Sequence, residues 1–251
     1  MAEVFCFSGN GMSRRVAEGL RKAGVGPERD GSLGFVFPVY GWRPPRILAR
    51  FIANGLAERL AGGGIDYVWA VMTCGFDVGY VDAVLDGLLR SAIGRGLDAA
   101  FSVRMPDTYI GLPGFRLNSP ELAERKLRAA SERVPELAAR IAARERVRDL
   151  RRGLLPRTKT YLFGKVFDRF LVDDRFFRVD PAKCTRCGEC AANCPAGAIG
   201  QTAEGTILWR HGGMCTGCLR CLHSCPAEAI EFGRFTKGKR RLRSGEKGRF
   251  P

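Results

Sequence analysis

No apolar run in this chain approaches the ~18 residues that a membrane span requires; its longest apolar stretches lie around Phe35 to Tyr40 and Tyr67 to Met72. A signal peptide is not evident either. The terminus Met1-Ala2-Glu3-Val4-Phe5-Cys6 carries an acid where such a peptide has basic residues, and no small-residue cleavage site follows. A cytoplasmic location is therefore expected. Cysteine is scarce over most of the length: of ten, only Cys6 and Cys74 fall outside residues 184–225, which excludes a disulfide framework spread over the chain. Clustered thiols in a reducing compartment hold metal. Acid is also in short supply, since 41 Lys and Arg face 26 Asp and Glu for a net charge of +15. Such a balance points to an acidic partner without naming it.

Up to about residue 150 the pattern alternates strand and helix, the mark of an α/β layer fold with a mainly parallel sheet. Strands are predicted at Val4 to Phe7, Gly34 to Tyr40, Asp66 to Thr73 and Ala99 to Arg104. Helices are predicted at Ser13 to Ala23, Pro45 to Leu60, Gly79 to Gly94 and Pro120 to about Leu150. The last carries Leu122, Leu127, Ala130, Val134, Leu137 and Ile141 at helical spacing. Residues 151–177 hold seven basic and three acidic residues and read as a linker or docking arm. Residues 178–233 form a second, small α+β domain, and the tail 234–251, with eight basic residues and one acid, reads as disordered.

An internal repeat marks the second domain. CTRCGECAANCPAGAI, Cys184 to Ile199, aligns on CTGCLRCLHSCPAEAI, Cys215 to Ile230, at an offset of 31 with nine of sixteen positions identical. Each copy has the spacing Cys-x2-Cys-x2-Cys-x3-Cys-Pro, the ligand run of two-cluster bacterial ferredoxins, in which the fourth cysteine serves the other cluster. On that rule one [4Fe-4S] cluster takes Cys184, Cys187, Cys190 and Cys225, and the second takes Cys215, Cys218, Cys221 and Cys194. Pro195 and Pro226 are expected in a first helical turn. Zinc is the competing metal, but paired knuckles would leave a third cysteine per run unexplained. His211 and His223 are expected at the surface or behind the ligands, because eight thiolates complete both sites.

At the amino terminus a strand runs into Ser8-Gly9-Asn10-Gly11-Met12-Ser13 and then a helix. Small residues, hydroxyls and a helix amino terminus suit an anion, but the loop is neither a dinucleotide fingerprint nor a Walker loop. Alone it is equally a tight turn with Ser13 as a cap. The wider pattern adds more. FSGNGMSRRVAEGL resembles the phosphate loop of flavodoxins, and GFVFPVYGWRPPRIL, VMTCGFDVGY and FSVRMPDTYIGLPGF follow in the order found in a flavodoxin-ferredoxin fusion family of anaerobes.

The resemblance covers nearly all of residues 1–232 and implies a flavodoxin-like FMN domain, at 1–150, joined to a two-cluster ferredoxin. It places the FMN phosphate on Ser8, Gly9, Asn10, Gly11, Met12 and Ser13. A second flavin loop is implied at Pro38, Val39, Tyr40, Gly41 and Trp42, and a third at Thr73, Cys74, Gly75, Phe76, Asp77 and Gly79. Tyr40 and Trp42 are candidates to face the isoalloxazine; Cys74 and Cys6 are expected as packing residues. Only ten residues, Gly24 to Leu33, separate the first helix from the next strand, too few for the second, edge strand of a five-stranded flavodoxin. A sheet of four strands is therefore predicted.

The function implied is single-electron transfer between two [4Fe-4S] clusters and FMN, and to or from a redox partner with an acidic docking surface. Whether the chain is an oxidoreductase or a carrier stays open, since Asp77, Asp107 and Tyr109 are weak acid-base candidates. The alternative is a ferredoxin-type carrier whose flavodoxin-like half has lost FMN and acts as a docking module. A nucleic-acid role would rest on the basic tail, without a recognition motif.

Overall fold

The computed structural model describes residues 3–25, 31–60 and 64–242. Strands β1 (Glu3–Cys6), β2 (Ser32–Pro38), β3 (Tyr67–Cys74), β4 (Ala99–Arg104) and β5 (Arg148–Asp149) form one parallel sheet in sequence order. All eight residues of β3, YVWAVMTC, are buried, because a central strand of a parallel sheet has helices over both faces. Helices α1 (Met12–Lys22) and α5 (Pro120–Ala142) pack on one face. Helices α2 (Arg46–Asn54), α3 (Leu56–Arg59) and α4 (Val81–Ile93) cover the other. Helix α5 begins where Ser119 Oγ accepts the Leu122 amide, with Pro120 at the first helical position. Of the stripe read from the sequence it buries Ala130, Val134, Leu137 and Ile141, while Leu122 and Leu127 are half-buried.

Two expectations about the sheet are corrected. It has five strands, not four, and β5 lies inside the stretch predicted as continuous helix to Leu150. The helix ends at Ala142, and Arg144 adopts a left-handed conformation (φ 54°) that turns the chain back toward β4. Among the described residues β1 is the edge strand and pairs directly with β2, Glu3 opposite Leu33. Residues 26–30, within the short connection, lie outside the described residues. Cys6 was expected in the core but is exposed: β1 alternates half-buried and exposed residues, as an edge strand does.

The topology keeps one crevice. The strand order never reverses, yet α1 and α5 lie opposite α2 and α4, so the connections through the two helix pairs have opposite hands. The loops leaving β1 and β2 therefore part to opposite faces. A crevice at the carboxyl ends of the strands opens at that parting.

The segment expected as a linker is helical. Pro156–Thr158 (α6), a π-turn at Lys159–Phe163 and Gly164–Phe170 (α7) form one arm. Arg46 holds the arm by bonding Asp168 Oδ1 at 2.9 Å, and its reach extends to the Val172 carbonyl at 2.8 Å. Beyond lie β6 (Phe177–Val179), α8 (Glu189–Ala192), β7 (Ile199–Gln201), β8 (Ile207–Trp209), α9 (Arg220–Ser224) and β9 (Ile230–Phe232). They form two antiparallel pairs, β6 with β9 and β7 with β8.

Tail residues 234–242, expected to be disordered, fold back on this half. Thr236 is fully buried and accepts the Phe232 amide, Arg241 bonds Glu231, and the Lys239 ammonium caps the carbonyls of Ile110, Leu112 and Phe115. Residues 243–251 of the expected tail lie outside the described residues.

Leu137 is fully buried between α5 and the sheet. Leu137→Ala is expected to lower unfolding stability by about 2–5 kcal/mol in a denaturant titration. A loss well under 1 kcal/mol would contradict the packing of α5.

Candidate metal centre

The sequence repeat is also a structural one. Helix α8 at Glu189 and helix α9 at Arg220 start 31 residues apart. Left-handed backbone recurs at the same offset: Arg186 and Gly217, Gly188 and Leu219, Gly197 and Glu228. Each pair contains one glycine and one residue for which this conformation is unfavourable. The fold of the loop thus overrides local preference in both copies. The fourth cysteines are held alike too, with the Ala198 amide donating to Cys194 Sγ and the Ala229 amide to Cys225 Sγ, both at 3.3 Å. Pro195 and Pro226 were expected to start helices, but both stand in turns after α8 and α9. Those turns are what bring each amide back onto its sulfur.

Two small cavities lie in this half. One is lined by Cys184, Cys187, Cys190 and Cys225, the other by Cys194, Cys215, Cys218 and Cys221. Each lining therefore combines three cysteines of one run with the fourth of the other. Their volumes are equal, about 20 Å³ each. Apolar residues close both: Val179, Ile207 and Ile230 in the first, Phe177, Ile199 and Trp209 in the second. Among the described residues, no three potential ligands converge closely enough to share a single ion.

Each cavity has one buried cysteine, Cys190 and Cys221, and half-buried ones beside it, but the first alone includes an exposed cysteine, Cys187. Burial pushes the Cys215 thiol up to about 12 and Cys218 to about 11, and drives Cys221 well above the ordinary thiol range. Thiolates there need a cation to replace their protons, which iron supplies on binding. His223 is buried within α9; its Nδ1 accepts the Leu242 amide, leaving Nε2 to donate to the Thr108 carbonyl at 2.8 Å. His211 bonds Asp174 with a largely exposed ring. Neither ring lines a cavity.

Residues 176–199 match the family model of a 4Fe-4S binding domain. A search of curated proteins gave no match. The matched span carries Cys184, Cys187, Cys190 and Cys194 from β6 into β7. The carboxyl-terminal part of the chain thus contains a 4Fe-4S ferredoxin-type domain, which supports an iron-sulfur electron-transfer role. It is joined to a five-stranded parallel α/β domain.

The 4Fe-4S domain sits on the crevice between the β1 and β2 loops. A Cβ on Gly9 would meet Cys218 Cβ at 2.7 Å and would overlap the Tyr40 hydroxyl. The Gly9 amide donates toward that phenol oxygen, and burial raises the Tyr40 pKa, so the hydroxyl stays neutral. Asn10 Nδ2 donates to the Cys218 carbonyl at 2.8 Å, and Arg220 donates to the Gly9 carbonyl at 3.2 Å. Ser13 and Thr73 share a 2.7 Å hydroxyl bond that ties the first loop to the third. Gly11 caps α1 in a left-handed conformation, and Ser8 and Met12 are buried.

The arm and its neighbours cover the other two loops. Val39 continues the pairing of Pro38 with Thr73, and the chain turns tightly between Tyr40 and Arg43. Phe167 fills the space beside Gly41, while Thr160 fills that beside Gly79 and accepts the Tyr80 amide at 2.9 Å. Trp42 Nε1 and Lys159 Nζ both bond Asp77, at 2.8 and 2.7 Å, with the ammonium over the indole. Buried Lys126 joins the Gly75 carbonyl to Asp107. Cys74 is buried, its thiol pushed up to about 12, whereas Phe76 projects into solvent.

These contacts bear on FMN. A phosphate in the first loop needs the Gly9 amide, which faces Tyr40, and a flavin ring needs the faces that Phe167, Lys159 and Thr160 cover. The residues as placed do not fit FMN. Asp77 and Asp107 are ion-pair anchors here, and Tyr109 packs edge-on against Phe115 and Phe167. The joining residues Arg220, Lys126 and Lys239 escaped sequence reading, since nothing local marks them.

Gly9→Ala is expected to cost about 1–3 kcal/mol by overpacking against Tyr40 and Cys218, read as a lower melting temperature of the iron-loaded protein. An unchanged melting temperature would show that the loop and the cysteine run do not touch.

Proposed function

We propose that this chain is an iron-sulfur electron carrier with two [4Fe-4S] clusters, whose α/β half is a docking module for the ferredoxin half and holds no flavin. One cluster is assigned to Cys184, Cys187, Cys190 and Cys225, the other to Cys215, Cys218, Cys221 and Cys194. The observation that carries this reading is the crossed lining of the two cavities. The clusters exchange one electron each. The first, beside exposed Cys187, is the outlet, and the second is insulated against Gly9. Exposed Lys183 and Arg186 flank the outlet beside the exposed carboxylate of Glu189, a positive excess that suits a redox partner with an acidic surface.

A second reading keeps FMN. It is favoured by Ser8 Oγ and Asn10 Oδ1, which are buried in the first loop without a hydrogen-bond partner. It requires Tyr40 and the arm to withdraw.

Iron, acid-labile sulfide and extractable flavin in one anaerobic sample separate the two. About eight iron, eight sulfide and no flavin per chain are expected. About one flavin per chain would overturn the docking module in favour of the second reading.

Pairwise substitution tests the crossing. Cys194→Ala and Cys218→Ala are each expected to leave about four iron, and the double variant about four as well, because both serve one cluster. Cys194→Ala with Cys187→Ala should leave almost none. The reverse pattern would contradict the assignment.

A further inference from the structure

The arm turns its apolar side outward. Twelve residues of 151–170 are exposed: seven large apolar side chains, four cations and Gly153, with no carboxylate. Leu154 and Leu155 are each 70% exposed and Phe170 60%. Leu162, Phe163 and Val166 lie between 47% and 55%. Spacings of four place Leu162, Val166 and Phe170 on one helical face, and Leu155 stands exposed at the left-handed residue before the arm's first turn. The opposite face, Thr160, Gly164 and Phe167, meets the α/β domain. Arg151, Arg157, Lys165 and Arg169 are the exposed cations, and the arm's carboxylate, Asp168, is held by Arg46.

Ordinary soluble helices present the reverse pattern. An outward apolar face this continuous marks an interaction surface. The exposed residues that flank this face within the arm carry positive charge without negative. A protein partner would have to supply a complementary apolar groove and acids in register. A bilayer surface bearing anionic lipid takes both groups with no demand on shape. A second copy of the chain would set the same cations against each other.

We propose that the arm, residues 154–170, docks this protein on the surface of an anionic lipid bilayer, with Leu155, Leu162, Val166 and Phe170 entering the interface and Arg157, Lys165 and Arg169 meeting lipid headgroups. The protein lies on the membrane and does not span it, in keeping with the described residues, which contain no helix long and apolar enough to cross one. Val172, just beyond the arm, packs on Gly217 between Cys215 and Cys218. Docking through the outward face leaves the α/β contacts of the arm intact.

The test is flotation of the iron-loaded full chain with vesicles of phosphatidylcholine, alone or with about 30% phosphatidylglycerol, at low and at about 0.5 M salt. Binding to the anionic vesicles is expected, weakened by salt, and much weaker on the neutral ones. Val166→Glu with Phe170→Glu should abolish it while cluster absorbance and melting temperature stay unchanged, since both side chains project into solvent. Each of Arg157→Gln, Lys165→Gln and Arg169→Gln should weaken binding about fivefold. Wild type that fails to float with anionic vesicles overturns the proposal, as does a Val166→Glu, Phe170→Glu variant that floats equally well. A wild-type dimer that this variant dissolves would assign the face to a second copy and overturn it too.

Discussion

The carboxyl-terminal half depends on one constraint: each cavity is completed by a cysteine from the other run. Cys225 closes the cavity of the first run and Cys194 that of the second. Neither run can be finished alone, so the two loops must fold as a pair. The constraint explains why left-handed backbone recurs at an offset of 31 even where Arg186, Leu219 and Glu228 occupy it. Steric cost at those positions is outweighed by turning amides and sulfurs inward. It also explains the thin apolar shell, in which Phe177 stacks on Trp209 and Ile230 packs beside Cys225. So small a domain has little other core.

The contact at Gly9 extends that constraint to the whole molecule. Cys218 is at once a lining residue of the second cavity and the residue that seats the domain on the α/β half. A crevice that would admit a ligand instead receives Tyr40 and the Cys218 loop. Asn10, Arg220 and the Thr108 carbonyl then add polar bonds across the junction. The loop between β4 and α5 contributes fully buried Ile110 to the core of the 4Fe-4S domain, and the folded tail clamps that loop through Lys239. Seating of this kind holds the second cavity against the α/β domain and leaves the first beside exposed Cys187.

Local signals in the sequence were legible, and long-range ones were not. The cysteine spacing, the duplicated unit, four of the five strands and the buried stripe of α5 all follow from periodicity and ligand chemistry within a few residues. β5 is two residues long and exists only because β4 accepts it. The arm was read as a linker from its basic residues, yet it is helical because Phe167, Thr160 and Asp168 find partners on the α/β domain. Asn10 and Cys218 are 208 positions apart, so no window of sequence reveals that the glycine loop is covered. The resemblance to flavodoxins implies flavin loops, and no local signal in them shows that Tyr40 and Cys218 fill the space beside Gly9 or that Phe167 fills that beside Gly41.

The central claim, two clusters held close together by crossed cysteines, is tested most directly by electron paramagnetic resonance of the fully reduced protein. Two neighbouring paramagnets interact, so the account predicts about two spins per chain in a spectrum broadened and split by their coupling. A simple, uncoupled signal integrating to about one spin per chain would contradict it.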